Sequence, residues 1–358
     1  MSDATSEQIA KRTENWLQWI ALFLGILLVV VICLVLQALQ TILIPFCIAL
    51  FLVYLVEPLQ KFLIYLKIPK GARVCMILLC TGLLLYLVGL LVYSSVKSLN
   101  QTLPQYEVRV IGLLDQVVHS LPIPSDEVNA FMRNFKWADH FKPGTIAQMI
   151  GTSFGKFGGF LGNLFLILLY MVYLLFERES FFKRIHNSFP TEKAEQISLV
   201  VNQINLGIAG YLEIKTFLSL LTGGLVTTIL FLFGVDLAVF WGILTFLLNF
   251  IPSIGSVIAT IFPVMIAFLQ FDSLWIPVTI FGLLILIQGL IGNVIEPKVM
   301  GGKLGLSPLV VILSLIFWGW LWGPVGMILS VPIVAAIRIT CEHIEILRPI
   351  SGFLAEKS

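Results

Sequence analysis

The sequence predicts an all-α, polytopic membrane protein of about 5–8 membrane segments, two of them re-entrant helical hairpins in an inverted repeat. Three observations lead there. Of 358 residues, 58% are hydrophobic and only 12% charged, with a mean hydropathy of +1.00, against roughly 25% charged side chains in a soluble domain. Several apolar runs have the length that crosses a bilayer as a helix. Two further runs are too long for one span and are interrupted at their middles by proline and glycine. The net charge of +2 gives no argument for a nucleic-acid partner.

Residues 1–16 are polar and read as a cytoplasmic N-terminus, followed by a retained first helix with no small-residue cleavage site. Residues 17–94 hold spans one to three, at about 17–36, 39–56 and 73–94. Only Leu36–Gln40 separates the first two, which predicts a tight hairpin. Residues 95–156 form an extracytoplasmic region. Within it Val110, Leu113, Leu114, Val117, Val118 and Leu121 recur at helical spacing, an apolar stripe that packs within this region, on the membrane surface or against another subunit. The Leu121–Pro124 stretch ends that helix, because proline lacks the amide donor. Span four covers 157–176, and 177–211 is a cytoplasmic amphipathic segment.

Residues 212–338 form a core of two broken-helix units, 212–271 and 274–338, before a cytoplasmic tail at 339–358. The run 237–270 would be about 51 Å long as one helix, and Asn249–Gly255 interrupts it. The run 308–338 is interrupted by Trp322-Gly323-Pro324-Val325-Gly326. Each run reads as a re-entrant hairpin, or alternatively as a kinked span or a pair of tilted spans. Lys and Arg place both termini in the cytoplasm. The clusters Lys11/Arg12, Lys61–Arg73 and Arg178–Lys193 fall on one side, and Lys298, Lys303, Arg338 and Arg348 join them if the two units have opposite topology. Inverted units with broken helices are a transporter pattern, since the breaks free backbone groups to ligate solute or ions.

Candidate functional residues cluster at the breaks. No Asp, Glu, Lys or Arg sits centrally in any expected span, and Glu57, Glu213, Lys215, Asp236 and Glu296 fall near span ends. The pathway candidates are therefore neutral: Asn249, Pro252, Ser253, Gly255 and Ser256 at the first break, Gln288 and Asn293 on the intervening span, and Gly323, Pro324 and Gly326 at the second. Asn249 either contacts solute or caps the broken helix. Glu296, followed by Pro297 and Lys298, is a gate or coupling candidate, or an interfacial helix stop paired with Lys298 or Lys303. Proline at 297 biases Glu296 away from helical geometry. Asp236 after Gly234 reads as an N-cap, Glu57-Pro58 as the end of span two, and Gly223-Gly224, Gly289 and Gly292 as packing notches. Glycines 301, 302 and 305 join those at the breaks as hinge candidates. The five cysteines and four histidines lack metal-site or catalytic spacing, so no metal, cofactor or enzymatic activity is expected.

The segments Gly210–Thr216, Asn249–Gly255, Glu296–Pro308 and Gly323–Pro332 resemble the autoinducer-2 exporter family of bacterial transporters, in order and spacing over nearly the whole chain. The resemblance implies an inner-membrane secondary transporter or exporter of a small polar solute, autoinducer-2 for some members and sodium–proton antiport for others. It also implies a homo-oligomer, a pentamer in the family's pattern. Trp322 and Pro324 enlarge the family's usually small Gly-rich turn, and Trp318 and Trp320 precede it. A non-transporting membrane scaffold is the remaining alternative.

Overall fold

The computed structural model describes residues 2–120, 143–300, 305–344 and 347–355, built of helices apart from an antiparallel bridge between Leu306 and Ala355. The expected Leu121–Pro124 stop, the side chains of the stripe before it, Gly301, Gly302 and Lys303 lie outside the described residues. Among the described residues four helices are long and apolar enough to cross a membrane by length and composition alone, or five if one bent pair counts as a span, and one of the four, Pro308–His343, is kinked at Gly323.

That bent pair corrects the first expectation. Helix α1 (Ser2–Ala38) and α2 (Gln40–Leu55) meet at 82° around Leu39, an elbow rather than a hairpin. The backbone explains it. The Leu39 amide donates to the Val35 carbonyl at 2.9 Å, and the Leu39 carbonyl accepts from Ile42 and Leu43, so helical bonding continues through the corner. Reversing a helix takes a loop of about 2–5 residues, and here one residue is available. The described side chains of α1 are exposed apart from Cys33 and Leu36, with Phe23, Leu27, Leu28, Val31 and Leu34 all at 47% or more.

Glu57 and Pro58 open the short α3 (Glu57–Tyr65) as well as closing α2. Helices α4 (Lys70–Ser120), α5 (Pro143–Ser188) and α6 (Thr191–Leu232) then run without a break past the boundaries expected at 94/95, 176/177 and 211/212. The ends of these helices are therefore not the ends of the apolar runs. Helix α6, about 63 Å long at 1.5 Å per residue, is the central element. One stripe of it, with Tyr211, Lys215, Ser219, Thr222, Val226 and Leu230, is buried at the helical repeat. Tyr54 of α2, Leu212 of α6, Phe250 and Val334 share one apolar cluster with it, which joins the N-terminal spans to the core.

Both interrupted runs fold back on themselves. Helices α7 (Ala238–Leu248) and α8 (Ile254–Gln270) form hairpin 1. Trp241 stacks on Phe262 with ring centroids 6.4 Å apart, and the Gln270 carboxamide ties the two feet together, accepting from the Asp236 amide at 2.8 Å and donating to the Gly234 carbonyl at 2.7 Å. Gly223 of α6 and Gly242 of α7 allow a close crossing, since a Cβ on Gly242 would lie 1.6 Å from Thr227 Oγ1. After α9 (Trp275–Gln288), a π-helical turn (Gly289–Ile295) and α10 (Glu296–Met300), the long α11 (Pro308–His343) reverses at Gly323 to give hairpin 2. Ser314 Oγ donates across that hairpin to the Ser330 carbonyl at 3.1 Å. The chain closes with α12 (Arg348–Leu354).

The hairpins share a device. A Cβ on Gly255 would sit 1.8 Å from the Leu248 carbonyl oxygen, and one on Gly326 would sit 2.0 Å from that of Trp318. In each, a glycine early in the second arm lets it press on the end of the first. The feet of hairpin 1 adjoin the Trp275 end of the α9–α10 segment, and hairpin 2 starts beyond its Met300 end. At 26 residues that segment is about 39 Å long. The hairpins therefore enter from opposite ends of one span-length element.

Candidate functional site

The polar residues of the core converge on the tip of hairpin 1. Asn249 closes α7 with its side chain buried, and its amide donates to Ser219 Oγ of α6 at 3.0 Å. It does not cap α8, whose N-terminus receives no side-chain hydrogen bond. The tip itself is strained: Ser253 has φ 61° and ψ −51°, and the Ile254 amide donates to the Pro252 carbonyl at 2.7 Å, a positive-φ γ-turn. Such geometry at a non-glycine residue costs about 1–3 kcal/mol and persists where surrounding structure imposes it.

Across from the tip, the α9–α10 segment supplies Gln288, Asn293 and Glu296. Its π turn lies between Gln288 and Glu296, and single π turns inside membrane-length helices are frequent at functional sites. The expectation that Pro297 would turn the chain out of helix at Glu296 is not met, because Glu296 has φ −56° and ψ −51°. Pro297 is the second residue of α10 and directly follows the π turn, so its missing amide donor falls where the hydrogen-bond spacing of a continuous helical segment changes. Glu296 Oε1 accepts from Lys215 Nζ of α6, with the two side chains 4% (Lys215) and 19% (Glu296) exposed. Its partner is thus neither Lys298 nor a surface water shell. A buried pair of this kind neutralises itself and leaves the site with no net charge.

These groups surround a cavity of about 540 Å³. Asn249, Pro252, Ser253, Ser256, Gln288, Asn293 and Glu296, all marked in the sequence, line it, joined by Lys215, Thr260, Gly289 and Gly292. Apolar walls come from Val257, Ile261, Phe281 and Ile285. That mixture, mostly apolar with a few fixed donors and acceptors, and that volume are typical of a small-molecule site. Gly289 and Gly292 are not packing notches. A Cβ on either would meet nothing within 4 Å, and both leave room in the cavity. Gly223, by contrast, does serve as a notch, while Gly224 faces open space.

Other marked residues lie elsewhere. Gly255 packs arm on arm and Lys298 is exposed outside the cavity. The tip of hairpin 2, with Gly323, Pro324 and Gly326, does not line this cavity. Gly323 has φ 64° and ψ −148°, a region open essentially to glycine alone. The tryptophans of this turn dock on the α1–α2 elbow instead. Trp318 and Trp322 pack against Leu36, Leu43, Ile44 and Cys47, and Trp322 Nε1 donates to the Leu36 carbonyl at 3.3 Å. The bulky aromatic rings that distinguish this turn in sequence are what carry it to that apolar surface.

Two residues escaped the sequence reading of the site. Lys215 was assigned to a span end, yet it lies deep within the 42-residue α6. Asp236 is not an N-cap, since Leu237 holds that position without a side-chain bond. Its Oδ2 accepts from Tyr106 of α4 at 2.7 Å. Burial, and then the adjoining Asp236 carboxylate, push the Tyr106 hydroxyl above the usual tyrosine range. Among the described residues no cluster of three or more His, Cys, Asp or Glu could hold a metal.

Comparison with known proteins gives a consistent picture. The sequence model described as AI-2E family transporter matches residues 22–346. A putative transport protein of Haemophilus influenzae is 34% identical over 89% of this chain and 91% of its own. The AI-2 transport protein TqsA of Escherichia coli is 32% identical over 90% of this chain and 92% of its own. The putative transport protein YhhT of Escherichia coli is 30% identical over 86% of each.

Proposed function

The chain belongs to the AI-2E transporter family, a multi-pass membrane transporter, and from that premise we propose that the cavity at the tip of hairpin 1 is its solute passage. The observation that carries this is the convergence of Asn249, Ser253, Ser256, Gln288 and Asn293, from two separate parts of the chain, on one cavity whose charged pair cancels. Carboxamides and hydroxyls without net charge suit a small, neutral, polyhydroxylated solute. The family name and the TqsA relative make autoinducer-2 the first candidate. Alternating access would swing hairpin 1 against the α9–α10 segment, with Ser253 and the π turn as the places where backbone geometry changes. Gly323, Pro324 and Gly326 then act as a scaffold hinge rather than as solute contacts. The protein sits in the bacterial inner membrane with both termini cytoplasmic, and works as a homo-oligomer.

A second reading, cation–proton antiport, has one observation in its favour: an ion pair buried within the membrane-spanning core, where ionisable groups are functional suspects by default. In it Glu296 exchanges Lys215 for a proton or Na+. Reconstituted protein separates the two readings. Efflux of autoinducer-2 or another small polyol, lost in Asn249→Leu and independent of sodium and pH gradients, supports the solute passage. Proton movement that requires sodium and is lost in Glu296→Gln supports antiport. Absence of both fluxes from protein that reconstitutes as a folded species refutes the passage and leaves a scaffold.

A further inference from the structure

The outer part of α4 holds hairpin 1 by both feet. Beyond the membrane-length stretch Lys70–Ser95, the same helix continues to Ser120 and carries Tyr106 and Arg109 one turn apart on one face. Tyr106 is 7% exposed, and its hydroxyl donates to Asp236 Oδ2, just before α7, at 2.7 Å. Arg109 reaches past the end of α8 and meets Asp272 at 2.6 Å, with a longer contact from its Nη2 to the Phe271 carbonyl at 3.5 Å. Gln270 then bonds the two feet to each other. One helix face therefore grips each arm of the hairpin once, at the end farthest from the strained Ser253 tip.

We infer that Tyr106 and Arg109 are positioning residues that latch hairpin 1 from outside the membrane and set the resting place of its tip. The two grips are unequal. Tyr106–Asp236 is a part-buried hydrogen bond to a charged acceptor, whereas Asp272 is 92% exposed and its pair with Arg109 is open to solvent and salt. An arm held at its foot pivots as a lever, so releasing the foot displaces the far end. Displacement of the outer part of α4 thereby reaches the cavity wall through two side chains.

The test reads hairpin position rather than flux. Full-length protein lacking its five native cysteines and carrying Thr260→Cys is reconstituted and labelled with a water-soluble maleimide. Thr260 lines the cavity and is 6% exposed, so it reacts when the hairpin moves. Tyr106→Phe is expected to speed labelling about tenfold, the scale of a hydrogen bond to a charged group, and Arg109→Asp about twofold. Combining Arg109→Asp with Asp272→Arg is expected to return the rate to that of the parent, which a merely destabilised fold would not do. Unchanged labelling in Tyr106→Phe, or a charge swap that fails to restore the rate of Arg109→Asp, overturns the latch. Because no transport is measured, a latch that responds in a protein that moves no solute would refute the passage alone.

Discussion

The Lys215–Glu296 pair allows the sharpest test of the core, by a double-mutant cycle to methionine. Removing one partner of a buried pair costs about 3–5 kcal/mol, chiefly because the other charge stays behind unpaired. The burial of each partner ranks the two singles. Glu296→Met leaves an ammonium whose side chain is 4% exposed, so it falls in the middle of that range, at about 4 kcal/mol. Lys215→Met leaves a carboxylate 19% exposed beside a cavity of about 540 Å³. That space far exceeds the roughly 10–15 Å³ that one water needs. Rehydration puts this variant at the lower end, about 3 kcal/mol. The double variant leaves no orphan and is expected to be no worse than either single, a coupling of about 4 kcal/mol or more. Equilibrium unfolding in mixed micelles, followed by tryptophan fluorescence, measures all four corners. Additive losses in the double variant, or Lys215→Met costing more than Glu296→Met, would refute the reasoning.

Three further outcomes follow from the same geometry. Gly292→Leu meets no atom at its Cβ and adds helix propensity, so solute flux is expected to fall at least tenfold while the unfolding midpoint holds or rises; a lowered midpoint would show that Gly292 packs instead. Ser253→Gly removes the penalty of φ 61° and is expected to stabilise by about 1 kcal/mol in the same unfolding assay, with loss of stability as the contrary result. The Tyr106 hydroxyl is raised, so its protonated, donating form is the one the fold favours. Its contribution is complete below the ordinary tyrosine pKa of about 10 and is lost as pH rises through the folded value. The stability gap between the parent and Tyr106→Phe should therefore stay constant from about pH 6 to 9 and shrink only above about 10; a gap that closes near neutrality would contradict it.

Much of this arrangement is legible in the sequence, for reasons that also mark where legibility ends. Run length and mid-run Pro/Gly breaks report local backbone needs, and both hairpins follow from them. Asn249, Ser253, Ser256, Gln288, Asn293 and Glu296 stand out because a polar group in an apolar run needs a reason, and one cavity collects all six. Lys215 was missed because hydropathy marks where lipid contact begins, not where a helix begins. Helix α6 starts 24 residues earlier, at Thr191, so a residue at the edge of the apolar run is interior to the fold. The destination of hairpin 2 was illegible for a related reason: Trp322 finds its acceptor 286 residues away at Leu36, where a one-residue elbow replaces the expected hairpin. Asp236 carried the local pattern of a cap, and a residue 130 positions distant took it.

The exposure of α1, broken among its described side chains only at Cys33 and Leu36, bears on biogenesis. A helix whose Phe23, Leu28 and Leu34 need no sibling for cover is already satisfied by hydrocarbon alone. It can leave the insertion machinery and stand in the bilayer while the rest of the chain is still being made. Hairpin 2 cannot, since its tryptophan tip rests on the corner that α1 makes with α2. A segment synthesised well before hairpin 2 thus becomes its landing surface, and a truncation that removes it should strand that hairpin without a seat.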